Sequence, residues 1–268
     1  MGKINLVSSD LNGTLVHQHT MSDMIRIYLG QGRFEMADEV FKKQSEGTAT
    51  MEDAFSTAGP LTKGLTLRQA IEYTKEHMRY MGGFNEFLAY LNNNEIPLVI
   101  NSTGYSVTIY AIRERVGRGK IHGQIGNFLK FGMDGNADNA LSESELEQKV
   151  IDFFSVPYAA NDESYDRIKA TGEIELGIID EGAKARLIIE YAKRHFPEIN
   201  PRNIVHMGDT MGDSKGIQEI ASLGGFGIAF NYNRALMQFL EGVNNVYFID
   251  EKSENSDLRR VIPILRQA

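Results

Sequence analysis

Asp10 is followed by Leu11-Asn12-Gly13-Thr14. A carboxylate beside a Gly-Thr turn stands next to free backbone N–H groups, an arrangement suited to gripping a phosphate. Further on, Asn101-Ser102-Thr103-Gly104 offers small hydroxyls and more backbone donors. Gly208-Asp209-Thr210-Met211-Gly212-Asp213 sets two acids around a tight turn, an oxygen donor set for a hard cation. Lys184 opens a helical pattern ahead of that last segment. Taken singly, each of these is ordinary: an acid after a strand is commonly a turn or cap residue, Lys184 a solvated helix residue, and Asp213 a helix N-cap.

The elements that must position these residues are short apolar runs. Ile4 to Ser8, Pro97 to Ile100, Ile204 to Met207, Phe226 to Phe230 and Val246 to Ile249 show little alternation, as buried parallel strands do. Helical patterns lie between them, with Phe84, Phe87, Leu88 and Leu91 on one face, and Leu187, Ile188, Tyr191 and Ala192 on another. Strands alternating with helices predict an α/β fold with a doubly wound, mainly parallel, Rossmann-like sheet. Chemistry in such sheets gathers beyond the carboxyl ends of the strands, where Asp10, Ser102 and Asp209 fall. Two segments interrupt the alternation. Residues 17–81 hold helical stretches and are expected to form a helical cap domain, and residues 132–170 are a second insertion with a capping box at Ser142 and Glu145.

With these motifs in order, the chain resembles the haloacid dehalogenase superfamily, whose pattern is D-x-D-G-T, then Ser or Thr after a strand, then Lys, then G-D-x-x-x-D. Asp10, Ser102, Lys184 and the pair Asp209 and Asp213 match it. The resemblance covers a core of residues 1–16 and 82–268, apart from the 132–170 insertion. It is closest to the phosphoserine phosphatase branch, because Leu15-Val16 follow the first motif and Gly104-Tyr105 follow Ser102. The resemblance implies a Mg²⁺-dependent phosphatase acting on a small phosphorylated metabolite through an aspartyl-phosphate on Asp10. Asp10, Asp209, Asp213 and the Asn12 carbonyl oxygen would hold the metal, while Ser102, Thr103, Gly104 and Lys184 would bind the phosphoryl group.

Asn12 departs from that pattern. The family has a second aspartate there, which protonates the leaving oxygen and later activates water. An amide does neither, and loss of such a group costs about 10² to 10⁴ in rate. Three readings follow: an engineered replacement, an enzyme for substrates with good leaving groups, or a phosphate- and metal-binding regulatory protein without hydrolysis. A phosphotransferase differs from the phosphatase only in its acceptor. His19 stands where phosphoserine phosphatases carry an amine-reading glutamate, and Ser56 falls near their carboxylate-reading arginine, so phosphoserine is disfavoured. His17, His19, Arg26, Arg33, Lys63 and Arg68 are the candidates for substrate selection. As a motif, His17-Gln18-His19 reads as solvated loop histidines.

Composition narrows the partners. The 268 residues carry a net charge of −8, the wrong sign for a general nucleic-acid binder. Nine acids against three bases between residues 132 and 170 supply most of it. With no cysteines, disulfides and thiolate chemistry are excluded. The apolar runs are too short to span a membrane, and the N-terminal residues lack a secretory apolar region, so the expected location is cytoplasmic.

Overall fold

The computed structural model describes residues 4–267. The strands β1 (Leu6–Ser9), β2 (Leu98–Tyr105), β3 (Gly123–Met133), β4 (Ile168–Glu175), β5 (Ile204–Gly208), β6 (Phe226–Tyr232) and β7 (Val246–Glu251) form one sheet in the order β4-β3-β2-β1-β5-β6-β7. Every pairing is parallel except β3 with β4. The chain builds from β1 outward to β3 and then returns to the other side of β1 with β5. That reversal is a topological switch point, and it opens a crevice at the carboxyl ends of β1, β2 and β5.

Both faces of the sheet are covered, and the two-residue period of a strand shows how. Leu6, Val99 and Ile204 point to one side and pack with Ala185, Ile188 and Ile220. Their neighbours Val7, Leu98, Ile100, Val205 and Met207 point to the other side. The central strands are therefore apolar on both faces, which explains their unbroken hydrophobic runs.

The helices α1 (Thr20–Tyr28), α2 (Gln31–Ser45), α3 (Met51–Leu61) and α4 (Leu67–Glu76) make an N-terminal helical region inserted after β1. Met24, Ile25, Phe41, Phe55 and Ile71 from these helices join the same apolar cluster as Ile100 and Met207 of the sheet. Each such side chain, fully buried, contributes about 1.5–3 kcal/mol. The helical region thus rests on the sheet through a continuous core. Thr66 and Gln69 form a capping box at the start of α4, fixing where that helix begins.

Then come α5 (Phe84–Asn93), α6 (Ser106–Val116), α7 (Glu143–Ser155), the single turn α8 (Ser164–Arg167), α9 (Ala183–His195), α10 (Ser214–Ser222), α11 (Arg234–Leu240) and α12 (Ile262–Gln267). The capping box expected at Ser142 and Glu145 is present, and it starts α7. The acidic segment differs in one respect from the sequence expectation. Its two ends belong to the sheet, because Gly132 and Met133 pair antiparallel with Lys169 and Ile168. Glycines at 123, 126 and 132 and the polar residues between them hide this strand pair from a reading based on apolar runs.

Candidate active site

Asp10 lies one residue past β1, where its N–H donates to the Met207 carbonyl at 2.9 Å. The chain then turns sharply at Gly13, whose φ is +74°. A side chain there is excluded twice, by that dihedral and because a Cβ would fall 2.0 Å from an Asp209 carboxylate oxygen. The absence of a side chain at 13 is thus what lets the first motif and Asp209 approach each other. Asn231 donates to the Gly13 carbonyl at 2.7 Å, and the Asn233 N–H donates to the Asp209 carbonyl at 2.9 Å. The end of β6 therefore fixes both turns.

Asp10, Asp209 and Asp213 are buried, and each offers a carboxylate oxygen within 4.8 Å of the others. Lys184, from the first turn of α9, is also buried and donates to Asp10 at 2.8 Å and to Asp213. Asp213 does not cap α10 through its side chain; its second oxygen accepts the Asp209 N–H at 3.3 Å. The Asp209 carboxylate has only a 3.5 Å contact from the Thr14 hydroxyl and forms no ion pair among the described residues, with Lys252 and Lys184 acting on it from farther off. One lysine for three buried carboxylates leaves a deficit of positive charge. A divalent cation held by oxygen fits that donor set.

The electrostatics follow this inventory. Burial, opposed by Lys184 and reinforced by Asp213, pushes Asp10 up to about 6. Asp209 is raised well above the usual carboxylate range by burial and by the charges of Asp10 and Asp213. Burial also acts to raise Asp213, but Lys184 and His206 outweigh it and hold this acid down to about 2. For Lys184, burial is outweighed by Asp10 and Asp213, which raise its pKa and keep it protonated. The cluster therefore carries a fixed ion triad, and Asp209 is the acid most in need of a cation.

Behind the acids runs a polar chain that the sequence reading missed. Asn101 donates to the Lys184 carbonyl at 2.8 Å and to the Ser8 hydroxyl at 3.2 Å. Ser8 meets His206 Nδ1 at 2.9 Å, and His206 Nε2 lies 3.7 Å from Asp213. His206 is fully buried, and burial lowers its pKa, so the ring is neutral at pH 7. A histidine in the otherwise apolar run Ile204–Met207 was the available signal for it.

The second motif sits within β2 rather than after it, since the strand continues to Tyr105 with a register shift. Ser102 Oγ accepts the Gly104 N–H at 3.1 Å, and the Thr103 carbonyl accepts from Asn127 at 3.0 Å. A Cβ on Gly104 would stand 3.3 Å from Ser102 Oγ and 3.4 Å from Asn12 Nδ2, so the two motifs meet here.

A cavity of about 570 Å³ lies between these strand ends and the helical region. Asn12, Gly13, Thr103 and Asp209 line its floor, Phe41, Lys42 and Gln44 of α2 line its roof, and His17, His19, Arg234 and Lys252 line its sides. His19 is not a solvated loop histidine. Its ring packs on Phe41 with centroids 4.6 Å apart, its Nδ1 meets Ser22 Oγ at 3.0 Å, and burial together with Lys252 lowers it to about 4. Gln18 accepts the Arg79 N–H at 3.0 Å, which orders the loop carrying both histidines.

Three expected substrate-selecting residues lie off this cavity. Arg26 pairs with Asp23 at 2.6 Å on the surface, Arg33 donates to the Lys63 carbonyl at 2.8 Å, and Arg68 pairs with Asp166 at 2.9 Å. Each is already engaged elsewhere, two of them by carboxylates. Arg234 and Lys252, which do line the cavity, follow β6 and β7. The rule that strand carboxyl ends carry function applied to those strands too.

No family model and no curated protein matches the sequence. Solved structures do match the fold. A phospho-aspartyl intermediate analogue of phosphoserine phosphatase superposes with a TM-score of 0.69 at 20% identity, covering 98% of this chain and 99% of that one. A substrate-bound phosphoserine phosphatase complex gives 0.69 at 19% identity with the same coverage. A HAD-family hydrolase from Salmonella enterica serovar Typhi gives 0.65 at 15% identity, covering 92% of this chain and 68% of that one. The fold is that of the haloacid dehalogenase superfamily, a mostly parallel sheet with a helical cap and a buried, metal-site-like acid cluster. In fold it resembles phosphoserine phosphatases over 98% of the chain.

Proposed function

We infer that this chain is a Mg²⁺-dependent phosphomonoester hydrolase acting on a small phosphorylated metabolite, with Asp10 as nucleophile. One observation carries the reading: Asp10 is joined to Lys184, and its carboxylate is clustered with Asp209 and Asp213 beside a cavity floored by Asn12, Gly13 and Thr103. Residues 17–81 act as the cap of this site. Asp10, Asp209, Asp213 and the Asn12 carbonyl would hold the ion, which when bound supplies charge neutralisation for the phosphoryl group.

The chain's own residues account for the remaining work. An Asp10 oxygen attacks phosphorus as the bond to the leaving oxygen breaks, and the phosphoryl group passes to the carboxylate. Lys184 stays protonated and balances charge on Asp10 and on the transferred group. Ser102, Thr103 and Gly104 orient the phosphoryl oxygens through hydroxyl and backbone donors. Water then attacks phosphorus, releasing phosphate and regenerating Asp10. Asn12 supplies no proton to the leaving oxygen in the first step and accepts none from water in the second. The protein is therefore restricted to activated esters or to slow turnover.

The test is a phosphate-ester screen with Mg²⁺ on the chain as it stands and on Asn12→Asp, with intact-mass detection of phosphorylated Asp10. Hydrolysis that rises in Asn12→Asp and disappears in Asp10→Asn supports the reading. Asn12 itself favours a second one, a phosphate- and metal-binding regulatory protein. Phosphate and Mg²⁺ binding with no phosphorylated Asp10, and no activity gained in Asn12→Asp, would establish that alternative. Product analysis with an added alcohol separates hydrolysis from phosphotransfer.

A further inference from the structure

Three cations line the cavity from three separate elements: Lys42 on α2, Arg234 at the start of α11 and Lys252 after β7. None forms an ion pair or a side-chain hydrogen bond among the described residues. Asp38 on α2 and Glu46 just after it, four residues to either side of Lys42, pair with none of the three among the described residues. The surface arginines Arg26, Arg68 and Arg186, by contrast, are all engaged by carboxylates.

The backbone carrying the two core cations is tied to the phosphate turn. The Lys252 N–H donates to the Tyr232 carbonyl at 3.0 Å, and the next N–H, of Ser253, donates to Asn231 Oδ1 at 2.8 Å. Asn231 is buried, holds a φ of 51°, accepts from Ser256 at 2.9 Å and donates to Gly13. One asparagine therefore sets the distance from the turn beside Asp10 to the loop bearing Lys252. Asn233 next to Arg234 donates to the Ser45 carbonyl at the end of α2, which places Lys42 against the same site. Preorganised, unpaired cations at a fixed distance from a phosphate-binding turn recognise a second negative group on the same ligand.

We propose that the substrate carries a second anionic group, a carboxylate or a second phosphate, besides the transferred phosphoryl group, bound in the same cavity by Lys42, Arg234 and Lys252. This rests on the phosphomonoesterase reading for the identity of the first phosphate. It replaces the arginines of the cap surface as the selecting residues and gives the core loops after β6 and β7 a role in specificity.

The test measures binding separately from turnover. Glycerol 3-phosphate, 3-phosphoglycerate and glycerol 1,3-bisphosphate share a three-carbon frame with a C2 hydroxyl and differ at the far end: neutral, carboxylate or phosphate. Their affinities are measured by titration calorimetry on the full-length Asp10→Asn chain with Mg²⁺, which cannot form the acyl-phosphate. The expected result is at least tenfold tighter binding of one or both doubly anionic ligands over glycerol 3-phosphate, collapsing to within threefold in Arg234→Ala/Lys252→Ala. The ligand that gains more identifies the second group as carboxylate or phosphate. Both side chains are exposed and unpaired, so the fold survives their truncation, checked by circular dichroism. Equal binding of the three ligands overturns the proposal, as does a preference that persists in the double variant. Failure of every ester to turn over, even in Asn12→Asp, defeats the hydrolase reading and leaves this binding comparison decisive for the anion site.

Discussion

Asn12 Oδ1 accepts the backbone N–H of Thr20 at 3.0 Å, so the residue two positions after Asp10 also satisfies the first N–H of α1. The turn after β1 and the helical region are thus joined by one side chain. An aspartate at 12 keeps the acceptor and places negative charge at the N-terminal end of a helix, where it is favoured. With saturating Mg²⁺, Asn12→Asp is expected to raise turnover of unactivated esters by about 10² or more. Asn12→Ala leaves the buried Thr20 N–H without an acceptor and is expected to cost about 1–3 kcal/mol in urea unfolding. An Asn12→Ala protein as stable as the parent would show that this bond contributes nothing.

Lys184 bridges Asp10 and Asp213 in a region with almost no solvent. Replacing it with methionine removes the cation that pairs with two of the three buried carboxylates. Breaking a buried ion pair from one side costs about 3–5 kcal/mol. Lys184→Met is therefore expected to unfold at markedly lower urea without metal and to recover part of the loss on addition of Mg²⁺. Equal losses with and without Mg²⁺ would argue against a metal at this cluster.

The acids predict a pH dependence whose sign is set by Asp10 and Asp209. Asp10 is raised from 3.8 to about 6, so between those values the fold retains a proton that the unfolded chain releases. Its contribution to stability is present at low pH and lost as pH rises through about 6, and Asp209 acts in the same direction. Asp213, depressed to about 2, acts oppositely, and its contribution is lost only as pH falls from 3.8 through that value. Without metal, the wild-type chain should lose more stability between pH 5 and pH 8 than Asp10→Asn does. Mg²⁺ should stabilise more at pH 8 than at pH 5 and release protons near pH 6, measurable by calorimetry in buffers of different ionisation enthalpy.

His19 titrates with the opposite consequence. Its ring is depressed from 6.5 to about 4 by burial and by Lys252, so the unfolded chain binds a proton that the fold refuses. The corresponding stability is fully present above pH 6.5 and lost as pH falls toward 4. An NMR titration should find His19 neutral at pH 5, and His19→Gln should lose less stability than the parent between pH 6.5 and pH 4. A ring that titrates near 6.5 would place His19 in solvent.

Local signals located much of this molecule. The apolar runs at β1, β2, β5 and β6 were readable because strands buried on both faces leave no polar alternation, and the edge strand β7 was readable from its short apolar run Val246 to Ile249. The pair β3 and β4 was not, because an edge of the sheet tolerates glycine and polar residues that carry no hydrophobic period. Asp10, Lys184, Asp209 and Asp213 could be listed from their order, whereas His206, Ser8 and Asn231 act through partners far away in sequence and have no motif of their own.

What the sequence determined by itself was residue type and order: an acid after the first strand, a glycine where φ is positive, and an amide at position 12 that cannot transfer a proton. Those are properties of the side chains and hold in any conformation. Only tertiary structure decided which cations face the cavity, assigning that place to Lys42, Arg234 and Lys252 and leaving Arg26, Arg33 and Arg68 outside it. The physical reason is that a charge acts over a few ångströms of space. Sheet order and the packing of α2 bring residues 13, 42, 234 and 252 to one cavity, and their separation along the chain holds no record of it.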